Sequence, residues 1–312
     1  MQQLLTHIKR AILVSLPFRF LIRRSKKITL PGFEGISIFE VVTFFFNQVK
    51  KTSLNERAAS IAFNMLMAIP PACIFLFTLI PFLPVDGFMN QLYDLIRNVV
   101  PEEKVNSPLI AFLNNFTTQQ RNELLSFGLL LALFFSSNAM MGILRSFDKD
   151  YEGFSKRTAL HDRWVAIKLT LIFYLIIILS IFALLTGTVV LEWLGIRSSF
   201  LKSFIINARW LVILLLYFFS ISFIYRHAPA VQKKWKLINP GSILSTFIMI
   251  IFTLLFTWWT VEFGNYNKLY GSIGTVLIFM LLIFFNSLVL LIGFELNVSI
   301  ASLQKTSSSN KN

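Results

Sequence analysis

The side chains able to do chemistry are few and scattered. His7, His161 and His227 are the only histidines, and each stands in a basic segment. No two of them have a spacing that would bring imidazoles onto one metal. His161 and Asp162 form a lone adjacent pair. The single cysteine, Cys73, excludes an intrachain disulfide and a multi-cysteine cage. It lies in an apolar run, as a small buried residue would. Gly271-Ser-Ile-Gly274 lacks the lysine of a phosphate-binding loop and follows a turn rather than a strand. Metal-assisted hydrolysis needs convergent carboxylates or histidines, and none converge here. The expectation is a chain with no metal, no cofactor and no enzymatic centre.

Polar residues embedded in apolar stretches say more. Ser60, Asn64 and Pro71 line up just after Arg57, and Pro70-Pro71 remove two backbone donors from one helix. A kink or break is expected there. An Asn opposite it would either bind a solute through freed carbonyls or only mend the kink. Asn138, Gly142 and Arg145 share a face, with Asp148 three residues beyond. Arg145 would hold an anionic headgroup, or it would snorkel or pair with Asp148. Thr246, Thr253, Thr257 and Thr260 fall on one side of another helix, as a polar path or as a small-residue packing face. Asn286, Gly293 and Asn297 share a face of the last apolar helix, with Glu295 opposite and placed to pair with a basic loop. A Tyr/Gly/Asn-rich turn from Tyr266 through Tyr270, Gly271 and Gly274 leads into that helix.

The elements that must carry these residues are membrane helices. From Ile273 to Phe294 run 22 residues without a charge, and about 20 helical residues cross a hydrocarbon core. The other uncharged cores are Ala59–Leu83, Leu124–Leu144, Leu169–Val190, Trp210–Tyr225 (extending back to about Ser203) and Ile243–Val261. Of the 312 residues 55% are hydrophobic and 14% charged, and 34 are phenylalanine. Lipid is the only solvent that accommodates so much apolar surface. The fold class is therefore all-α and polytopic, with six transmembrane helices. Residues 1–56 form a basic interfacial arm, 57–303 the membrane domain and 304–312 a disordered tail. Ala11–Ile22 is too short to span and reads as an interfacial amphipathic helix. Ile36–Lys51 is similar, its polar stripe of Glu40, Thr43, Asn47 and Lys51 running beside Phe44–Phe46. Between the first two spans Phe88, Leu92, Leu95 or Ile96, and Val99 repeat with helical spacing, predicting a helical outer loop ended by Pro101.

None of the six cores contains Asp, Glu, Lys, Arg or His, which argues against a proton relay through mid-membrane carboxylates. The net charge of +14 would suit nucleic acid, but the basic residues are sorted by loop. Residues 1–57, 145–168 and 226–240 and the tail hold 22 of the 29 Lys and Arg, and the alternate loops hold 7. That bias puts both termini in the cytoplasm. The expected partners are membrane lipids, above all anionic headgroups at the cytoplasmic face. No nucleic-acid partner is expected, and a homo-oligomer is left open.

Four motifs in order resemble the YihY/BrkB family of bacterial inner-membrane proteins, historically labelled ribonuclease BN. They are Arg57-Ala-Ala-Ser through Pro71, Tyr225-Arg-His-Ala-Pro229 with Asn239-Pro240-Gly241, Tyr270-Gly-Ser-Ile-Gly274, and Gly293-Phe-Glu-Leu-Asn297. The chain departs from the family at Phe63-Asn64, where two aromatics are usual, and adds Pro70. The resemblance implies six helices in the bacterial inner membrane and cytoplasmic termini. It suggests transport of a lipid or other envelope component. The sequence adds a candidate substrate or lipid path of Arg57, Asn64, Pro70, Pro71, Asn138, Arg145, Thr246, Thr253, Thr257, Tyr266, Tyr270, Gly271, Gly274, Glu295 and Asn297. The alternatives are a non-transporting membrane scaffold and, third, a membrane-bound ribonuclease.

Overall fold

The computed structural model describes residues 23–79, 124–148, 154–185, 199–262 and 272–309, with scattered positions between 90 and 114. The named elements are α1 (Ile38–Lys51), α2 (Leu54–Leu79), α3 (Leu124–Ser136), α4 (Asn138–Phe147), α5 (Ala159–Leu185), α6 (Ser199–His227), α7 (Pro240–Glu262) and α8 (Ser272–Ser309). Among the described residues there is no strand, only an isolated bridge between Phe154 and Val231. Among the described residues six helical segments are long and apolar enough to cross a membrane. Mixed accessibility along them, with large side chains such as Trp210, Leu254 and Leu277 exposed, suits helices whose outer faces meet lipid rather than water.

Two compact units emerge. One comprises residues 1–59, 150–153 and 235–312. Its spine is α8, whose 38 residues extend about 57 Å at 1.5 Å per residue. Helix α7 runs antiparallel to it, as the pairings of Gly241 with Gly293, Ser245 with Val289 and Phe252 with Phe285 require. Helix α1 packs on the far end of α8, where Phe33, Ile36 and Val41 surround Ile300. Its start is set by a capping box: Glu40 N–H donates to Ser37 Oγ while the Glu40 carboxylate accepts from Ser37 N–H. The helix expected over Ile36–Lys51 is thus present over Ile38–Lys51. Ala11–Ile22 lies outside the described residues.

The second unit comprises residues 60–149 and 154–234, and α5 is its hub, packing on α3, α4 and α6. Phe75 stacks on Tyr174 at 4.4 Å over Ala132, and Phe147 meets Tyr225 at 6.0 Å.

Three expectations need correction. Helix α2 is continuous through Pro70 and Pro71, so the double proline does not break it. In hydrocarbon a break would orphan further backbone groups, which keeps a proline-bearing span helical. The interruption falls instead in the second span, where Ser137 forms a turn between α3 and α4. There the Ser136 hydroxyl donates to Leu133 O at 3.0 Å and the Ser137 hydroxyl to Phe134 O at 2.6 Å, competing with the helical ladder. Finally, α8 continues to Ser309, so no disordered tail begins at 304. Leu303 packs on the α1 cluster and Thr306 donates to Ser302 O at 3.1 Å, extending the helix. In the loop after the first span the described residues Asn90, Tyr93, Asp94, Ile96 and Arg97 are helical. The apolar repeats Phe88, Leu92, Leu95 and Val99 lie outside the described residues.

Candidate functional site

In the first unit the Asn-Pro-Gly-Ser segment starts α7. Pro at the first helical position lacks the N–H that would be orphaned there anyway. The next two donors are met by asparagines: Gly241 N–H donates to Asn297 Oδ1 at 2.9 Å and Ser242 N–H to Asn239 Oδ1 at 2.8 Å. Asn297 Nδ2 closes the ring by donating to Asn239 Oδ1 at 2.7 Å. Asn239 Nδ2 in turn donates to the carbonyls of Lys236 and Leu237. A bare helix N-terminus is a ready anion site, but these donors are spent on side chains of the chain itself.

Two residues before Asn297, Glu295 is fully buried, and its carboxylate accepts from Arg57 Nη1 at 2.8 Å. Arg57 belongs to the opening turns of α2 and its side chain keeps 18% exposure. Its guanidinium lies 5.9 Å from the Phe294 ring centre, and Trp235 flanks that ring at 5.8 Å. The lone carboxylate at the end of the last apolar helix therefore pairs with the arginine that opens the first. A charge this buried is tolerated only when paired.

In the second unit Arg163 bonds the interruption of the second span. Its Nη1 donates to Ser137 Oγ at 3.0 Å and to Asn138 Oδ1 at 2.9 Å. Its guanidinium sits 4.3 Å from the centre of the exposed Phe134 ring, a cation–π distance. Arg145, in the last turn of α4, is exposed. The Asp148 N–H caps α4 by donating to Arg145 O at 3.3 Å. Nearby, Arg157 donates to Ala228 O at 3.0 Å and Pro229 O at 2.8 Å, and Ser155 N–H donates to Ala230 O at 2.7 Å. Burial pushes the Arg157 pKa below its ordinary value, while the carboxylates of Asp162 and Asp148 pull it upward.

The predicted residues thus separate. Arg57, Glu295 and Asn297 gather in the first unit. Asn138 meets Arg163, a residue of the charged opening turns of α5 that sequence reasoning had not singled out. Asn64 donates to Ser60 O at 2.8 Å, which satisfies its amide within its own helix, and it packs on Gly142. Pro70 is exposed and Pro71 half-buried. Thr246 is buried, and its hydroxyl has no partner among the described residues. Thr253 is half-buried and Thr257 exposed. Thr260 bonds Thr257 O at 2.9 Å, as a hydroxyl on a packing face does. Gly274 is a buried residue of α8, whereas Tyr266, Tyr270 and Gly271 lie outside the described residues. Among the described residues no three His, Cys, Asp or Glu come together in a way that could hold a metal.

The Asn64–Gly142 contact carries a prediction. A methyl on Gly142 would come within 2.8 Å of Asn64 Cβ, so Gly142→Ala is expected to cost about 1–3 kcal/mol. Because the conflict is with Cβ itself, Asn64→Gly should relieve the overlap and Asn64→Ala should not. Thermal unfolding of the detergent-solubilised variants checks this.

Residues 45–312 match the virulence factor BrkB family. A protein of Bacillus subtilis (strain 168) named ribonuclease-like protein YfkH is 27% identical over 260 residues, which is 82% of this chain and 93% of that protein. A protein of Tolumonas auensis (strain DSM 9187 / NBRC 110442 / TA 4) named UPF0761 membrane protein is 22% identical over 270 residues, 84% of this chain and 85% of that one. No solved structure matches the chain. With six helices of spanning length and apolarity and a match over most of its residues, the chain is a membrane protein that belongs to the BrkB family.

Proposed function

We propose that this chain is a transporter or flippase-like protein of the bacterial inner membrane that handles an anionic lipidic or amphiphilic envelope component, with both termini in the cytoplasm. The observation that carries the reading is the arginine pair at the interrupted second span. Arg163 is held on Ser137 and Asn138 above an exposed Phe134, and Arg145 stands exposed in the last turn of α4, which begins at Asn138. Two cations carried by one end of the same span attract an anion between them. A phosphate-bearing headgroup supplies it, with Phe134 offering apolar contact to the chain below. The topology rests on the loop bias of Lys and Arg.

The test is translocation of fluorescent phosphatidylglycerol across proteoliposomes by the purified protein. Wild type is expected to translocate it, and Arg145→Ala with Arg163→Ala to lose at least about tenfold in rate, equivalent to one charge-assisted contact of roughly 1.4 kcal/mol. An inactive wild type, or variants as fast as wild type, would overturn the reading.

A scaffold that moves no solute is the second reading, and one observation favours it. Asn64, Asn138 and Asn297 each bond a partner in their own unit. An inactive wild type that retains a co-purifying protein would move the assignment there.

A further inference from the structure

Helix α1 has two apolar faces, and its own unit covers only one. Val41 is fully buried against Ile300, and Gln48, two turns on, is buried beside it. About 100° round the helix lies a second apolar edge: Val42 is 41% exposed and Phe46 56% exposed, with Val49 half-buried between them and the core and Phe39 half-buried on the far side of Phe46. The charged and amide side chains Glu40, Asn47 and Lys50 occupy the remaining arc and are exposed.

Position along α8 says what meets that edge. Helix α1 packs on Leu296, Ile300 and Leu303, level with Asn297, which closes the first turn of α7. The first turn of a spanning helix marks the boundary between headgroups and acyl chains. At the rim of the edge, Lys26 Nζ lies 4.9 Å from the centre of the Phe39 ring. Exposed Lys50 stands next to Val49, and Arg23 and Arg24 are exposed on the segment leading in. Apolar side chains at headgroup depth with a cationic rim are the signature of a helix lying on an anionic monolayer.

We infer that α1 is a membrane-reading arm, clamped to α8 by Val41 and laid on anionic lipid of its own bilayer through Val42 and Phe46, with Lys26 and Lys50 on the headgroups. The inference does not depend on translocation and would survive its failure.

The test uses the full chain carrying Cys73→Ser, with a nitroxide placed in turn at residues 42, 43, 46 and 47, in nanodiscs of phosphatidylcholine with or without phosphatidylglycerol. Collision with oxygen reports lipid and collision with a nickel chelate reports water. Positions 42 and 46 are expected to show an oxygen-to-nickel ratio several-fold above 43 and 47. Phosphatidylglycerol should raise that ratio further, and Lys26→Gln with Lys50→Gln should abolish the rise. Equal ratios at all four positions would overturn the inference. So would shielding of 42 and 46 from both reagents, which would mean that a second copy or another protein covers the edge. A ratio indifferent to phosphatidylglycerol would overturn its anionic half.

Discussion

Replacing Glu295 with Ala while Arg57 remains is expected to destabilise the protein by about 3–5 kcal/mol, because it strands a largely buried guanidinium. Arg57→Ala should cost a similar amount, since Glu295 has no solvent exposure at all. The informative variant is the double replacement Arg57→Met with Glu295→Leu. Buried ion pairs are often exchanged for apolar side chains of similar volume with little loss, so the double variant should recover most of what either single variant forfeits. Thermal unfolding in nanodiscs, followed by tryptophan fluorescence, measures all three. A single variant within about 1 kcal/mol of wild type would mean that water reaches the pair and screens it. A double variant as unstable as the singles would mean that the two charges do more than neutralise each other. If instead the singles fall and the double recovers, the motif residues Arg57 and Glu295 owe their placement to a contact of the native fold rather than to a solute.

The architecture was legible because hydrophobic run length is a strong signal in a membrane chain. Backbone groups in lipid have to be bonded within the helix, so composition alone marks the spans. The segments from Trp210 and Pro240 end within a few residues of the uncharged cores read from sequence. Helix α5 does not, since it begins at Ala159, ten residues before the uncharged core. Asp162, Arg163 and Lys168 interrupt the apolar run without interrupting the helix, their charged ends directed to the interface or to partners.

Pairing was less legible. Asn138 and Arg163 are separated by 25 positions, and nothing in either local pattern announces the other. The interruption at Ser137 was missed for a related reason. Proline is an obvious breaker, whereas adjacent serines weaken a ladder only through hydroxyls whose partners a sequence does not reveal. Asn239-Pro240-Gly241-Ser242 was different in kind: Asn before Pro at the head of an apolar run is a helix start that sequence states outright. What could not be read there was the second asparagine, Asn297, supplied from another helix.

That junction sustains the other large prediction. Gly241 sits so close to α8 that a methyl group would overlap the Gly293 carbonyl oxygen and the Asn297 amide, with Asn297 Cγ at 2.7 Å. The first obstacle is backbone, so no rotamer change relieves it. Gly241→Ala therefore has to part α7 from α8 or bend one of them, and parting them removes the bond from Gly241 N–H to Asn297 Oδ1. The expected cost is about 3 kcal/mol, combining overpacking with a lost buried hydrogen bond. Asn297→Ala removes that bond and the one to Asn239 while leaving the backbones free to stay close, and should cost about 1–3 kcal/mol. The double variant discriminates between the causes. If overlap with the Gly293 carbonyl dominates, Asn297→Ala will not rescue Gly241→Ala, because the carbonyl remains where it was. If the asparagine were the real obstacle, the double variant would be no less stable than Asn297→Ala alone. Thermal unfolding of the three proteins under one lipid composition decides it. A Gly241→Ala protein as stable as wild type would show that the two helices are not held as closely as this packing requires.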